Sequence, residues 1–274
     1  MATLRPMATA VDALRTAVRE FPSALLGYSG GVDSALLAVV LRQELGPDRM
    51  LAAIGRSASL PAEQRAMAHA VAAQFDVPVA EVDTHELDDP RYLANPTNRC
   101  LFCKSELWGR LRELADVRGF SVVCDGTNAE DLSEHRPGHA AGLKAGVRSP
   151  LVVAGLGKAD VRAAARSMGL PNWDAPAAPC LSSRVQYGLQ ITTRRLRQVE
   201  EGEAFLRGLG VRGNLRVRHQ GDAARIEVEP EWIPWLESRR VEIAVHLHGL
   251  GFDEVAVDPR GYRRGSLLRD RAGR

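Results

Sequence analysis

The order of apolar and polar positions predicts helices and strands that alternate along most of the chain. From Thr9 to Glu20, Val11, Leu14 and Val18 recur at helical spacing; Phe21-Pro22 interrupts, and Ala24-Leu25-Leu26-Gly27-Tyr28 reads as a short buried strand. After a glycine-rich turn, Ala35 to Leu41 is apolar without a breaker until Gly46-Pro47, which fits a helix packed on a sheet. Met50 to Ile54 is the next strand. A helix over 61–75, a strand over 77–82, a polar segment over 83–98, a helix over 105–117 and the strand Ser121-Val122-Val123-Cys124 continue the pattern. Such alternation implies an α/β fold, a doubly wound and mostly parallel sheet, with ligands at the carboxyl ends of the strands. The loops 28–34, 55–60 and 125–137 are therefore the site candidates.

Gly157 opens a further helix to about Met168, Gly169 stops it, and Pro171, Pro176 and Pro179 make a stiff connector. Beyond it, a helix over 192–209, a strand at Asn214 to His219, the alternating Ala224-Arg-Ile-Glu-Val, a helix over 232–247 and a strand at Glu254 to Val257 predict a smaller α+β domain. The expected division is 1–184 for the large domain and 185–274 for the small one. The arginine-rich end after Pro259 reads as a solvated tail.

Composition narrows the partners. The 36 Lys and Arg nearly balance 34 Asp and Glu, for a net charge of +2, which favours neither a nucleic acid nor a membrane surface. The N-terminus lacks an uninterrupted apolar h-region, and no run approaches the roughly 18 apolar residues of a membrane span. A soluble, cytoplasmic protein is expected. In such a chain four cysteines point to metal binding or catalysis rather than to a disulfide framework.

The glycine-rich turn is Tyr28-Ser29-Gly30-Gly31-Val32-Asp33-Ser34, between a strand and a helix. Backbone N–H groups at a helix start hold anions. Here two hydroxyls and the Asp33 carboxylate are added, and the lysine of a Walker loop is absent. That combination disfavours gamma-phosphate transfer. It suits a grip on pyrophosphate, with Mg2+ sharing the charge, while another group attacks the alpha-phosphate of ATP. Ser29 to Ser34 match the S-G-G-x-D-S signature of the PP-loop ATP pyrophosphatases in full, and the chain resembles that class.

Asn98-Arg99-Cys100-Leu101-Phe102-Cys103-Lys104 carries two thiols close enough to share one metal or one disulfide. Cys180 stands between Pro179 and Leu181-Ser182-Ser183-Arg184, whereas Cys124 sits in an apolar strand as a packing residue. Three thiolates can hold three irons of a 4Fe-4S cluster and leave the fourth open to an external ligand. A structural zinc site needs four ligands, and a thioredoxin-type pair at Cys100 and Cys103 leaves Cys180 without a role.

Together, G-Y-S-G-G-V-D-S, N-R-C-L-F-C-K, D-G-T-N-A-E-D-L-S-E-H-R-P-G, G-L-P-N-W-D-A-P-A-A-P-C-L-S-S-R and R-V-R-H-Q-G-D-A-A-R-I-E-V resemble the LarE family, ATP-dependent sulfur transferases of nickel-pincer cofactor synthesis. The resemblance runs nearly end to end. It implies a substrate, pyridinium-3,5-biscarboxylic acid mononucleotide, whose carboxylates are adenylated and become thiocarboxylates. It implies two sulfur routes: sacrifice of the Cys180 sulfur, or delivery through a 4Fe-4S cluster on Cys100, Cys103 and Cys180, which the presence of all three thiols favours. By the same resemblance Ser183, Arg184 and Arg216 are candidates for the substrate phosphate, Glu200 for metal or substrate, and the chain for a homo-oligomer. Arg56 to Ser59, Ser57 among them, are expected near adenine, and Gly126-Thr127-Asn128 beside the phosphate loop. Asp131 is a candidate for magnesium or for a helix cap, and Lys104 and Lys158 for phosphate. A tRNA-thiolating relative would want a broad basic surface. An ammonia-using amide synthetase would not need the three thiols, and a nucleotide-binding regulator would release no pyrophosphate.

Overall fold

The computed structural model describes residues 7–133, 137–176, 179–263 and 265–267, which form two compact units. The first comprises 1–86 and 98–178, the second 87–97 and 179–274. Among the described residues no helix is long and apolar enough to cross a membrane. Glu134, His135 and Arg136 of the loop 125–137, Ala177 and Ala178 of the connector, and Arg264 with 268–274 of the arginine-rich end lie outside the described residues.

In the first unit the strands β1 (Ala24–Gly27), β2 (Met50–Arg56), β3 (Val79–Asp83) and β4 (Val122–Cys124) pair in parallel in the order β3-β2-β1-β4. Their side chains divide between two cores with the period of two that a pleated strand dictates. Ala24, Leu26, Ala52, Ile54 and Cys124 join the core shared with α1 (Met7–Arg19), α2 (Val32–Leu45) and α8 (Lys158–Ser167). Leu25, Ala53 and Val123 pack instead with Trp108, Leu111 and Ala115 of α5 (Arg99–Arg118). Every residue of α2 from Ser34 to Leu41 is buried, so this helix is apolar all round because it lies inside the unit. Helix α3 (Ala62–Gln74) follows β2, and α6 (Pro137–Lys144) and α7 (Pro150–Val153) follow β4. These last two are short helices that the apolar spacing does not announce.

The second unit has a three-stranded sheet in which β5 (Leu215–Gln220) pairs antiparallel with β6 (Ala223–Val228), and β6 parallel with β7 (Glu254–Val257). Helices α9 (Thr193–Gly208), α10 (Ile233–Ser238) and α11 (Arg240–Gly249) belong to it, and Leu206, Val217, Ile226, Leu236, Leu247 and Phe252 share its core. The expected continuous helix over 232–247 is two helices with a break at Arg239. A separate stretch of chain completes this unit: α4 (Pro90–Leu93) supplies Tyr92, whose hydroxyl meets Ser182 Oγ at 2.5 Å. Asn95, fully buried, donates from Nδ2 to the carbonyls of Gln186 at 2.9 Å and Leu189 at 3.0 Å.

Candidate functional site

The turn between β1 and α2 makes a concave run of backbone amides. Gly30 adopts φ +74°, and a Cβ there would stand 2.6 Å from the Ala68 methyl, so only glycine fits both the conformation and the space. Gly31 is the N-cap of α2, which places Val32, Asp33 and Ser34 in the first turn, where N–H groups have no intrahelical acceptor. Inside the turn, Ser34 Oγ donates to the Gly31 carbonyl at 3.0 Å and meets Ser29 Oγ at 3.2 Å. Tyr28 is buried beneath, its hydroxyl donating to the Ala68 carbonyl at 3.0 Å, and burial pushes its phenol pKa up.

The exit of β4 comes against this turn. A Cβ on Gly126 would lie 2.7 Å from the Ser34 backbone nitrogen, so the two backbones touch. Thr127 is turned to its own loop: its hydroxyl donates to Asp125 Oδ2 at 2.7 Å. Asn128, fully buried, donates from Nδ2 to Asp33 Oδ1 at 2.8 Å. The Asn128 side-chain oxygen in turn accepts from the backbone nitrogens of Glu130 and Asp131. Lys158 Nζ lies 3.4 Å from Asp131 Oδ1. Burial holds the Asp33 carboxyl above its usual range, and the neighbouring Asp131 charge adds to that, against the Asn128 hydrogen bond. Two neighbouring carboxylates, one of them buried, beside an anion-binding helix start fit a divalent cation.

The other first-unit candidates divide. Ser57 and Ser59 are joined at 2.9 Å between hydroxyls, and both reach the buried Glu86, so they stand together at the carboxyl end of β2. Arg56 is half exposed and engaged by Asp83 at 2.5 and 2.6 Å. Lys104 Nζ lies 5.4 Å over the Trp108 ring. Cys100 and Cys103 lie in the first turn of α5, where residues three apart share a face; Cys100 is exposed, Cys103 half-buried, and no disulfide joins them. Cys124 is fully buried in β4 and burial pushes its thiol up, in keeping with a packing residue.

In the second unit Cys180, half-buried, caps the short 3-10 turn Leu181–Arg184. Arg184 is 3% exposed and grips Glu203 with two parallel bonds of 2.9 and 3.0 Å, while its third nitrogen donates to the Cys180 carbonyl at 3.0 Å and to the Pro179 carbonyl. It also reaches Ser183 Oγ at 3.2 Å. The guanidinium thus fixes the backbone that carries the Cys180 thiol. Arg216, on β5, is buried with its guanidinium 5.3 Å over the Tyr262 ring; burial, then the nearby Arg184, pushes its pKa down to about 10. Arg218 pairs with the fully buried Glu227 at 2.7 Å and donates to the Ser183 carbonyl. Glu200 is half-buried on α9, one turn before Glu203. Arg260 and Arg263, at the start of the arginine-rich end, pair with buried Asp258. Within neither unit do three His, Cys, Asp or Glu side chains gather as metal ligands among the described residues.

Glu203, Glu86 and Gln64 join these sites from outside the quoted motifs, and Asn172 joins them from within G-L-P-N-W-D-A-P-A-A-P-C-L-S-S-R, where it was not singled out as a site residue. Each acts on a partner far away in the chain, and only the fold brings the two together.

Comparison with known proteins places this geometry. The sequence model of the NAD synthase family matches residues 7–118, which carry the turn at Gly30 and the Cys100 pair. The chain is 41% identical over 261 residues to an uncharacterised protein of Synechocystis, covering 94% of this chain and 97% of that one. It is 33% identical over 267 residues to the pyridinium-3,5-bisthiocarboxylic acid mononucleotide synthase of Lactiplantibacillus plantarum, covering 97% of this chain and 95% of that protein. An uncharacterised protein of Methanocaldococcus jannaschii is 28% identical over 239 residues, 87% of this chain and 90% of its own length.

Proposed function

The chain belongs to the LarE family of PP-loop enzymes, that of the pyridinium-3,5-bisthiocarboxylic acid mononucleotide synthase, and on that premise we propose that it adenylates and then thiolates the carboxylates of pyridinium-3,5-biscarboxylic acid mononucleotide. The observation that carries this reading is the amide-lined turn at Gly30 and Gly31 beside the Asp33 and Asp131 carboxylates. The pyrophosphate of ATP would sit on the first turn of α2, and Asp33 and Asp131 would hold a Mg2+ whose charge offsets that of the phosphates. A substrate carboxylate oxygen attacks the alpha-phosphorus, the bond to the bridging oxygen breaks, and pyrophosphate leaves. The acyl-adenylate is then open to a sulfur nucleophile, which forms a C–S bond as AMP departs with the C–O electron pair.

Cys180 carries the sulfur half. Arg184 and Arg218 hold its backbone and that of Ser183, and Arg216 supplies positive charge for the substrate phosphate. Cys100 and Cys103, on one face of α5, and Cys180 would hold a 4Fe-4S cluster, which when bound supplies one iron open to external sulfide. The sealed Cys124 has no part in it.

The test is anaerobic purification with measurement of iron and visible absorbance, followed by assay of AMP and thiocarboxylate with and without sulfide. Iron-dependent absorbance and repeated, sulfide-dependent turnover are expected, both lost in Cys100→Ala. A colourless protein that turns over once and becomes lighter by about 34 Da, the mass of hydrogen sulfide, would replace the cluster route with sacrifice of Cys180. Absence of pyrophosphate release with the dicarboxylate would remove the adenylation reading itself.

A further inference from the structure

Two carboxamides hold the phosphate turn from outside. Gln64, in the first turn of α3, donates from Nε2 to the Ser29 carbonyl at 2.8 Å. Asn172, in the connector after α8, donates from Nδ2 to the Gly30 carbonyl at 2.9 Å. The two carbonyls are consecutive, and the two donors come from unrelated parts of the chain. Because each partner is a carbonyl, each carboxamide must present its NH2 end, which fixes its orientation.

That orientation has a cost. Gln64 Oε1 and Asn172 Oδ1 are buried with no hydrogen-bond partner among the described residues, and Asn172 is only 2% exposed. Buried acceptors are normally satisfied, so two orphans beside one turn mark a geometry retained for the bonds the other ends make. The connector is itself pinned, Arg162 donating to the Ala175 carbonyl at 2.9 Å.

The bonds act on peptide planes. In a trans peptide the C=O and N–H point in opposite directions. Anchoring the Ser29 and Gly30 carbonyls therefore turns the N–H groups of Gly30 and Gly31 away from Gln64 and Asn172. The Gly31 N–H accordingly lies 3.4 Å from Ser29 Oγ, on the side of the first turn of α2. Gly30, at φ +74°, has no side chain to resist rotation of the flanking peptides, so this restraint has to come from elsewhere.

We infer that Gln64 and Asn172 are positioning residues that set the peptide planes of the phosphate turn for the pyrophosphate of ATP. The inference rests on the ATP reading above and adds which side chains make the turn competent. They touch backbone rather than nucleotide, so their effect is confined to the part of the ligand that the turn contacts.

Equilibrium binding of ATP, inorganic pyrophosphate and AMP to the full-length protein, with Mg2+, separates the possibilities. Asn172→Asp keeps the shape and replaces the donor by an acceptor. Gln64→Met keeps the length at a half-buried helix position and serves if the Asn172 variants fail to fold. Both variants are expected to bind ATP and pyrophosphate about tenfold more weakly or worse, since misplaced donors lose preorganisation, while AMP binding stays within about twofold. Unchanged ATP and pyrophosphate binding in variants of a protein that binds both would overturn the inference alone. Equal weakening of all three ligands would overturn it in favour of a general structural role. A wild-type chain that binds neither ATP nor pyrophosphate would overturn the ATP reading and this inference together.

Discussion

The two units arrange charges and dipoles by different means. Around Gly30 the first unit offers backbone amides and neutral carboxamides, with acidic Asp33 and Asp131 close by. Around Cys180 the second unit offers guanidinium groups sunk among carboxylates: Arg184 on Glu203, Arg218 on Glu227, and Arg225 between Glu227 and Asp258. The difference suits what the proposed reaction would bring to each. A triphosphate that arrives with its own metal ion needs oriented dipoles and a seat for the metal, whereas a phosphate that arrives alone needs fixed positive charge. Arg216, its pKa pushed down by burial and by Arg184, is the place where the second unit keeps positive charge against the local energetics.

The strongest way to break this contrast is Glu227→Ala. It would leave buried Arg218 and half-buried Arg225 beside an empty position, and the second unit is expected to lose about 3–5 kcal/mol in chemical denaturation. A loss below about 1 kcal/mol would mean that these arginines are in effect solvated. Next comes Asp33→Asn. Pyrophosphate release should fall by about 10²–10³. Yet the nucleotide-free protein should melt at a higher temperature, because burial and Asp131 hold the Asp33 pKa above its usual value and its ionised form therefore costs stability at neutral pH. A lower melting temperature would contradict that reading.

His219 gives a smaller, pH-dependent effect. It is 2% exposed, with Nε2 3.1 Å from Gln198 Oε1, and burial, then Arg195, pushes its pKa from 6.5 to about 4. Between those values the unfolded chain binds more protons than the folded one. The stability from neutral His219 is thus complete above pH 6.5 and is lost as pH falls toward 4, by on the order of 3 kcal/mol. Urea denaturation across that window should show the slope in the wild type and a flatter profile in His219→Phe.

How much of this was legible in the sequence depended on the distance between partners. The strands β1, β2 and β4 announce themselves because parallel strands covered on both faces are short apolar runs, β3 is a half-buried edge strand marked by Val79 and Val82, and the turn at Ser29 to Ser34 is a local motif. Helix α5 begins at Arg99, before the 105 that its spacing indicates, because Leu101 and Phe102 are adjacent rather than periodic and the first turn faces partly outward. Cys100 and Cys103 are therefore helical residues. The α10–α11 break at Arg239 escaped because Trp235, Leu236, Val241 and Ile243 keep an apolar rhythm across it. Glu203 and Asn172 escaped for another reason: Glu203 sits in no motif, Asn172 sits in one that by itself gives it no role, and their partners at Arg184 and Gly30 meet them only once the units are folded.

The detour of 87–97 has a consequence for how this protein can be cut or recombined. Asn95 and Tyr92 bond to residues 182–189, so a translated fragment beginning at Pro179 would lack buried partners that no downstream residue replaces. A single crossover between two homologous genes would likewise pair one parent's Asn95 with the other's Gln186 segment. Chimeras of this family should keep those two stretches from the same parent.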